Sequence, residues 1–191
     1  MCFAGLASLA FFYCDFREDQ KKERRGLLAS LLTQLCDQSD AYWAVLSDLY
    51  SANGNGSQHA SDSELQQCLL RMLKLPDQAP AYIVIDGLDE CPVTSGLPSP
   101  REGALDIVEE LVNLQHPNLR ICVTSRPEVD IEPVLRPLAF HSISLHDENG
   151  QIRDITEYVK FKVHNDPKTR KWREEDKEHV IKVLTEKADG M

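Results

Sequence analysis

Three carboxylates, Asp86, Asp89 and Glu90, follow directly on the apolar run Tyr82 to Ile85, with Gly87 and Leu88 among them. A run of this kind is expected to form a strand buried on both faces. A buried strand that ends in acids is how an open α/β sheet presents groups to a ligand. The chemistry it suits is a hydrated Mg²⁺ held by one carboxylate while a second acid orients a water. The plainer alternative is a core strand followed by a solvated acidic turn, since Asp-Gly turns are common. Three acids at once favour the site.

A second polar cluster closes the next apolar run. Leu119 to Val123 reads as a strand and ends in Thr124-Ser125-Arg126-Pro127. Residues 81–126 then read strand–loop–helix–strand, a crossover of normal length for parallel neighbours. Both strands are expected to end on the same edge of the sheet, which brings Arg126 near Asp86 and Glu90. An ion pair with those acids is the purely structural role open to Arg126.

The elements that must position these groups can be read in order. Leu9 to Phe16 is expected to be a buried strand. Leucines at 27, 28, 31, 32 and 35 form one face of a helix over Gln20 to Asp37. A second helix is expected over Asp40 to Tyr50, with Trp43, Leu46 and Tyr50 on one side. Ser51 to Ser61, rich in Gly, Asn and Ser, reads as a surface loop. Ser61 and Glu64 have capping-box spacing and open a helix to about Leu75. Ser99-Pro100-Arg101-Glu102 repeats that signal with proline at the first helical position. A short helix over Ile131 to Leu138 and a strand over Phe140 to Leu145 should follow. Two helices, Ile152 to His164 and Glu174 to Ala188, complete the pattern. The basic run Lys168 to Arg173 reads as a solvated linker between them, and His141 and His146 as surface histidines.

The chain has 191 residues and a net charge of −10. That balance argues against non-specific nucleic-acid binding, which needs a basic face. Cys2, Cys14, Cys36, Cys68, Cys91 and Cys122 contain no Cys-x-x-Cys pair and no zinc spacing. Cys14 and Cys122 lie in apolar runs and are expected to be buried thiols. A reducing, cytoplasmic setting follows. The apolar first fourteen residues have no basic residue before them and are too short to span a bilayer, so neither a signal peptide nor a membrane partner is expected.

Ile83-Val84-Ile85-Asp86-Gly87-Leu88-Asp89-Glu90-Cys91-Pro92 resembles the Walker B segment of NACHT-type NTPases of the STAND class. Ile121 to Glu128 resembles their sensor segment, in the same order and at a matching distance. Leu9 to Arg17 resembles the second strand of the fungal, nephrocystin-like branch, and Lys187 to Met191 a later segment cut short. The resemblance implies an α/β fold, a P-loop NTPase-like parallel sheet flanked by helices. Residues 1–150 would be a partial NTPase core and 151–191 the start of the following helical region. It implies Mg²⁺ and ATP or GTP as cofactors, with Asp86 on the metal. Glu90, or else Asp89, would polarise the attacking water, and Arg126 and Ser125 would meet the γ-phosphate. Other protein domains, or further copies of the protein, would be its partners in signalling.

The phosphate-cradling loop of such proteins needs Gly-x-x-x-x-Gly-Lys-Ser/Thr. This chain has no Gly-Lys pair. By the resemblance, that loop and the first strand lie upstream of Leu9, so both are expected to be missing here. Nucleotide binding by the chain alone is accordingly expected to be weak. The competing expectations are a degenerate interaction module that has lost catalysis and a different Mg²⁺-dependent enzyme built on the acid cluster.

Overall fold

The computed structural model describes residues 6–15, 23–93, 98–144 and 149–187. The chain divides into two compact units, residues 1–139 and 140–191. The first is a mixed α/β unit. Its sheet holds β1 (Ser8–Tyr13), β2 (Ala81–Asp86) and β3 (Leu119–Val123) in that spatial order, all parallel. Three helices join β1 to β2: α1 (Arg24–Cys36), α2 (Asp40–Ala52) and α3 (Asp62–Leu73). A 3₁₀ turn, Leu88–Glu90, and α4 (Pro100–Asn113) join β2 to β3, and α5 (Glu132–Leu138) follows.

The leucine face of α1 does what its spacing predicts: Leu27, Leu28, Leu31, Leu32 and Leu35 are all buried. They pack with Leu69 and Met72 of α3, Ile107 and Leu111 of α4 and Ile83 and Ile85 of β2 in one core. Each such side chain contributes about 1.5–3 kcal/mol by leaving water. Both predicted capping boxes form. The Ser61 hydroxyl accepts the Glu64 N–H and the Glu64 carboxylate accepts the Ser61 N–H; Ser99 and Glu102 repeat the arrangement at the start of α4.

Register shows how the sheet is covered. Ser8, Ala10, Phe12, Ala81, Ile83 and Ile85 share one face and are buried. Leu119, Ile121 and Val123 continue that face at half burial. The opposite face carries Leu9, Phe11, Tyr13, Tyr82 and Cys122, all exposed, with Val84 half-buried. The expectation that Tyr82 to Ile85 is buried on both faces is therefore corrected, since Tyr82 is 43% exposed. An apolar run marks a strand but cannot report which of its faces meets a helix. Cys122 is exposed for the same reason, against its expected burial.

The outer edge of β1 is closed by side chains instead of a strand. Gln34 of α1 accepts the Phe11 N–H at 3.0 Å and donates to the Phe11 carbonyl at 2.7 Å. Gln38 does the same for Leu9, at 2.9 and 2.7 Å. The match is geometric. Positions i and i+4 on a helix rise about 6 Å, and i and i+2 on a strand about 6.6 Å. Gln34 in the last turn of α1 and Gln38 just past its end thus meet alternate residues of the strand.

Trp43, Leu46 and Tyr50 lie on one side of α2 as expected; the buried residues of that helix are Tyr42 and Val45, while Trp43 and Tyr50 are exposed. These two line an open apolar pocket of about 490 Å³ with Leu46 and Leu65. One further expectation is corrected: residues 140–144 form no strand, and Leu145 lies outside the described residues. Phe140 and Ile143 are largely exposed. Alternation along a segment makes a strand only where a neighbouring edge supplies hydrogen bonds.

In the second unit, α6 (Asn149–Asn165) and α7 (Glu174–Lys187) pack on one another around Val163 and Ile181. The Thr169 hydroxyl donates to the Val163 carbonyl at 2.6 Å and fixes the turn between the helices.

Candidate functional site

The C-terminal ends of β2 and β3 lie side by side, because the two strands are parallel and paired from Ala81↔Leu119 to Ile85↔Val123. The chain leaves β2 through Gly87, whose φ of +68° is the left-handed conformation. A Cβ at Gly87 would meet only ordinary contacts, at 3.7 Å from the Cys14 carbonyl oxygen, so backbone angle and not space selects glycine there. Leu88, fully buried, then pins the 3₁₀ turn, and its N–H donates to the Thr124 carbonyl at 3.0 Å.

Thr124 stitches the two strand ends together. Its N–H donates to the Ile85 carbonyl at 2.9 Å, and its hydroxyl to Asp86 Oδ1 at 2.5 Å. The same hydroxyl oxygen accepts the Gly87 N–H at 2.9 Å. Asp86 is half-buried at this end of β2. Asp89 turns to the neighbouring strand end. It accepts the Arg126 N–H at 3.1 Å and pairs with the Arg126 guanidinium at 3.5 Å. Arg126 itself is 76% exposed on its side chain. Glu90 is exposed, with its side chain folded back beside Gly87. Ser125 spends its hydroxyl on the Arg126 carbonyl, at 2.8 Å. The structure thus joins the two strand ends through two separate pairs, Asp86 with Thr124 and Asp89 with Arg126, with Glu90 on the same turn as Asp89 and Ser125 next to Arg126.

Arg101, from the first turn of α4, is the residue that sequence reasoning missed. Its guanidinium donates to the Asp89 carbonyl at 2.6 Å and the Cys91 carbonyl at 2.9 Å, and it grips both oxygens of Asp130 at 3.0 and 3.2 Å. Only 12% of its side chain is exposed. The signal that could have found it was an arginine at the start of a capped helix, directly after the acidic loop.

Beneath the loop lie two thiols. Cys14, just past β1, and Cys91, just past the 3₁₀ turn, are buried with their Sγ atoms 3.0 Å apart. The hydrogen bond between them, with burial second, holds Cys14 well above the usual thiol range; the same bond holds Cys91 below it.

A hard-oxygen donor such as Asp86 suits Mg²⁺, which keeps several waters and takes one or two carboxylates. Among the described residues no group of three or more His, Cys, Asp or Glu is placed to hold an ion. One carboxylate plus waters is therefore the mode these residues fit. They supply no row of N–H groups for a triphosphate.

A three-stranded parallel sheet flanked by helices is consistent with a P-loop-like α/β fold. The family model for the nephrocystin 3 N-terminal domain matches residues 4–126, and the chain belongs to that NACHT-associated family. The matched span contains all three strands and ends at Arg126. No curated protein and no solved structure matches the chain. No helix among the described residues is long and apolar enough to cross a membrane.

Proposed function

We propose that this chain supplies the Walker B and sensor half of a NACHT-type, STAND-class nucleotide switch. The observation that carries the reading is the Asp86–Thr124 and Asp89–Arg126 bonding, which ties the acid-bearing end of one strand to the arginine-bearing end of the next. Asp86 holds Mg²⁺ through its second oxygen and water. Glu90, whose carboxylate is exposed, orients the attacking water; Asp89 is less suited, because Arg126 engages it. Arg126 leaves Asp89 to meet a γ-phosphate, with Ser125 beside it. Bound Mg²⁺-ATP or Mg²⁺-GTP would supply the phosphoryl group whose hydrolysis resets such a switch. Further protein domains or copies of the chain would read the two states.

A second reading, a non-catalytic interaction module on the same fold, draws support from the closed Asp89–Arg126 pair. Calorimetric titration of Mg²⁺-ATP separates the two. The chain itself should bind at millimolar strength or weaker, roughly −4 kcal/mol or less favourable. A chain extended upstream to a phosphate loop should bind at least about tenfold tighter, a gain of roughly 1.4 kcal/mol, and Asp86→Asn should abolish that gain. No binding to either chain would establish the interaction module. Micromolar binding or turnover by the short chain would overturn both and point to a different Mg²⁺-dependent enzyme.

A further inference from the structure

Cys14 and Cys91 stand apart from the other thiols. They follow the neighbouring strands β1 and β2, 77 residues apart in sequence, and their sulfurs are 3.0 Å apart. Both are buried, at 5% and 2% exposure. A disulfide bond is about 2.05 Å long, so closure asks each sulfur to move by only about half an ångström. The surrounding backbone is already tied down. The Cys14 N–H donates to the Asp86 carbonyl at 2.9 Å, and the Cys91 N–H to the Leu88 carbonyl at 3.2 Å. Arg101 holds the Cys91 carbonyl at 2.9 Å. The two residues are thus presented to one another by the fold and not by a chance rotamer.

We propose that Cys14 and Cys91 form a reversible dithiol–disulfide couple, closed by a hydroperoxide, that locks the Asp86–Glu90 loop to the end of β1. One thiolate attacks the peroxide oxygen and becomes a sulfenic acid, releasing water or alcohol after protonation. The second thiol attacks that sulfur and expels water. Two thiol protons and two electrons leave the protein, and one peroxide O–O bond is reduced. Hydrogen peroxide is close to water in size, so it needs a far smaller opening to reach a buried pair than a bulky disulfide does. A small dithiol reductant reverses the bond by exchange. The bond's formation is independent of any nucleotide chemistry. Its consequence is local: a covalent staple beneath the turn that carries three carboxylates.

The test is peptide mapping by mass spectrometry on the intact wild-type chain. It is treated with hydrogen peroxide at low molar excess, unfolded, and its remaining thiols are alkylated. The expected result is a peptide linking Cys14 to Cys91, lost on treatment with dithiothreitol. Thermal unfolding of the oxidised chain should shift upward by roughly 5–10 °C, as expected for closing a long loop. Among the described residues Cys122 is the exposed thiol and serves as the internal control. Recovery of Cys14 and Cys91 as free thiols at a dose that oxidises Cys122, or their linkage to other cysteines, would overturn the proposal. Cys91→Ala, once shown to be folded by circular dichroism, should show no thermal shift on oxidation; an undiminished shift would also overturn it. The wild-type map decides the matter even where that variant fails to fold.

Discussion

Arg101 shows how one side chain can hold a loop that has little packing of its own. Five donors in a planar fork reach two backbone carbonyls and one carboxylate from a nearly buried position. Removing it strands the Asp89 and Cys91 carbonyls and leaves Asp130 without its partner. Arg101→Ala should therefore cost about 2–3 kcal/mol, the range for charge-assisted bonds, read as a lower urea midpoint. Arg101→Lys should recover only part of that, since an ammonium cannot span all three acceptors. Equal stability of wild type and Arg101→Ala would show that the loop is held elsewhere. The site residues differed in how legible they were. Asp86, Glu90 and Arg126 could be placed on one edge from topology, because a parallel crossover ends both strands there; that Arg126 pairs with Asp89 was not legible. Nor were the roles of Thr124 and Arg101. Their importance lies in hydrogen bonds whose partners sit 38, 12 and 10 residues away in sequence, and no local pattern encodes those.

At the level of elements, periodicity and capping carried most of the information. The five leucines of α1 and the two capping boxes are local signals, and the helices they predict are present. What a neighbour decides was not legible. Trp43 and Tyr50 of α2 share a helical face with Leu46 as their spacing predicts, but which face is buried, that of Tyr42 and Val45, depends on the packing partner. The run from Phe140 alternates like a strand and is not one. The Gln34 and Gln38 contacts to β1 were equally invisible, since glutamines four apart at a helix end are ordinary. Their role can be measured. Gln34→Ala with Gln38→Ala should destabilise the chain by about 1–2 kcal/mol, as expected for partly exposed hydrogen bonds. Amide exchange at Leu9 and Phe11 should speed up well before exchange at Ala10, which faces β2. Uniform exchange along β1 in the double variant would refute edge-holding by these side chains.

At the scale of the molecule, the first unit has an α/β sheet with one face under helices and the other carrying Leu9, Phe11, Tyr13 and Tyr82 in the open. Parallel sheets are usually covered on both sides, and exposed apolar patches promote association. The chain should scatter light increasingly with concentration. Phe11→Lys with Tyr82→Thr should suppress that while leaving the helical circular dichroism unchanged; undiminished scattering would place the sticky surface elsewhere. The register of the sheet also has a consequence in time. β1 is made first, but its partner β2 lies about seventy residues further along. At ordinary synthesis rates of about 5–20 residues per second, β1 waits roughly 4–15 seconds for Ala81 to be added. Through that interval α1 alone can shelter it, with Gln34 and Gln38 occupying its outer edge. The inner edge stays open until β2 leaves the ribosome, so a nascent-chain chaperone has a window of seconds in which to act on this strand.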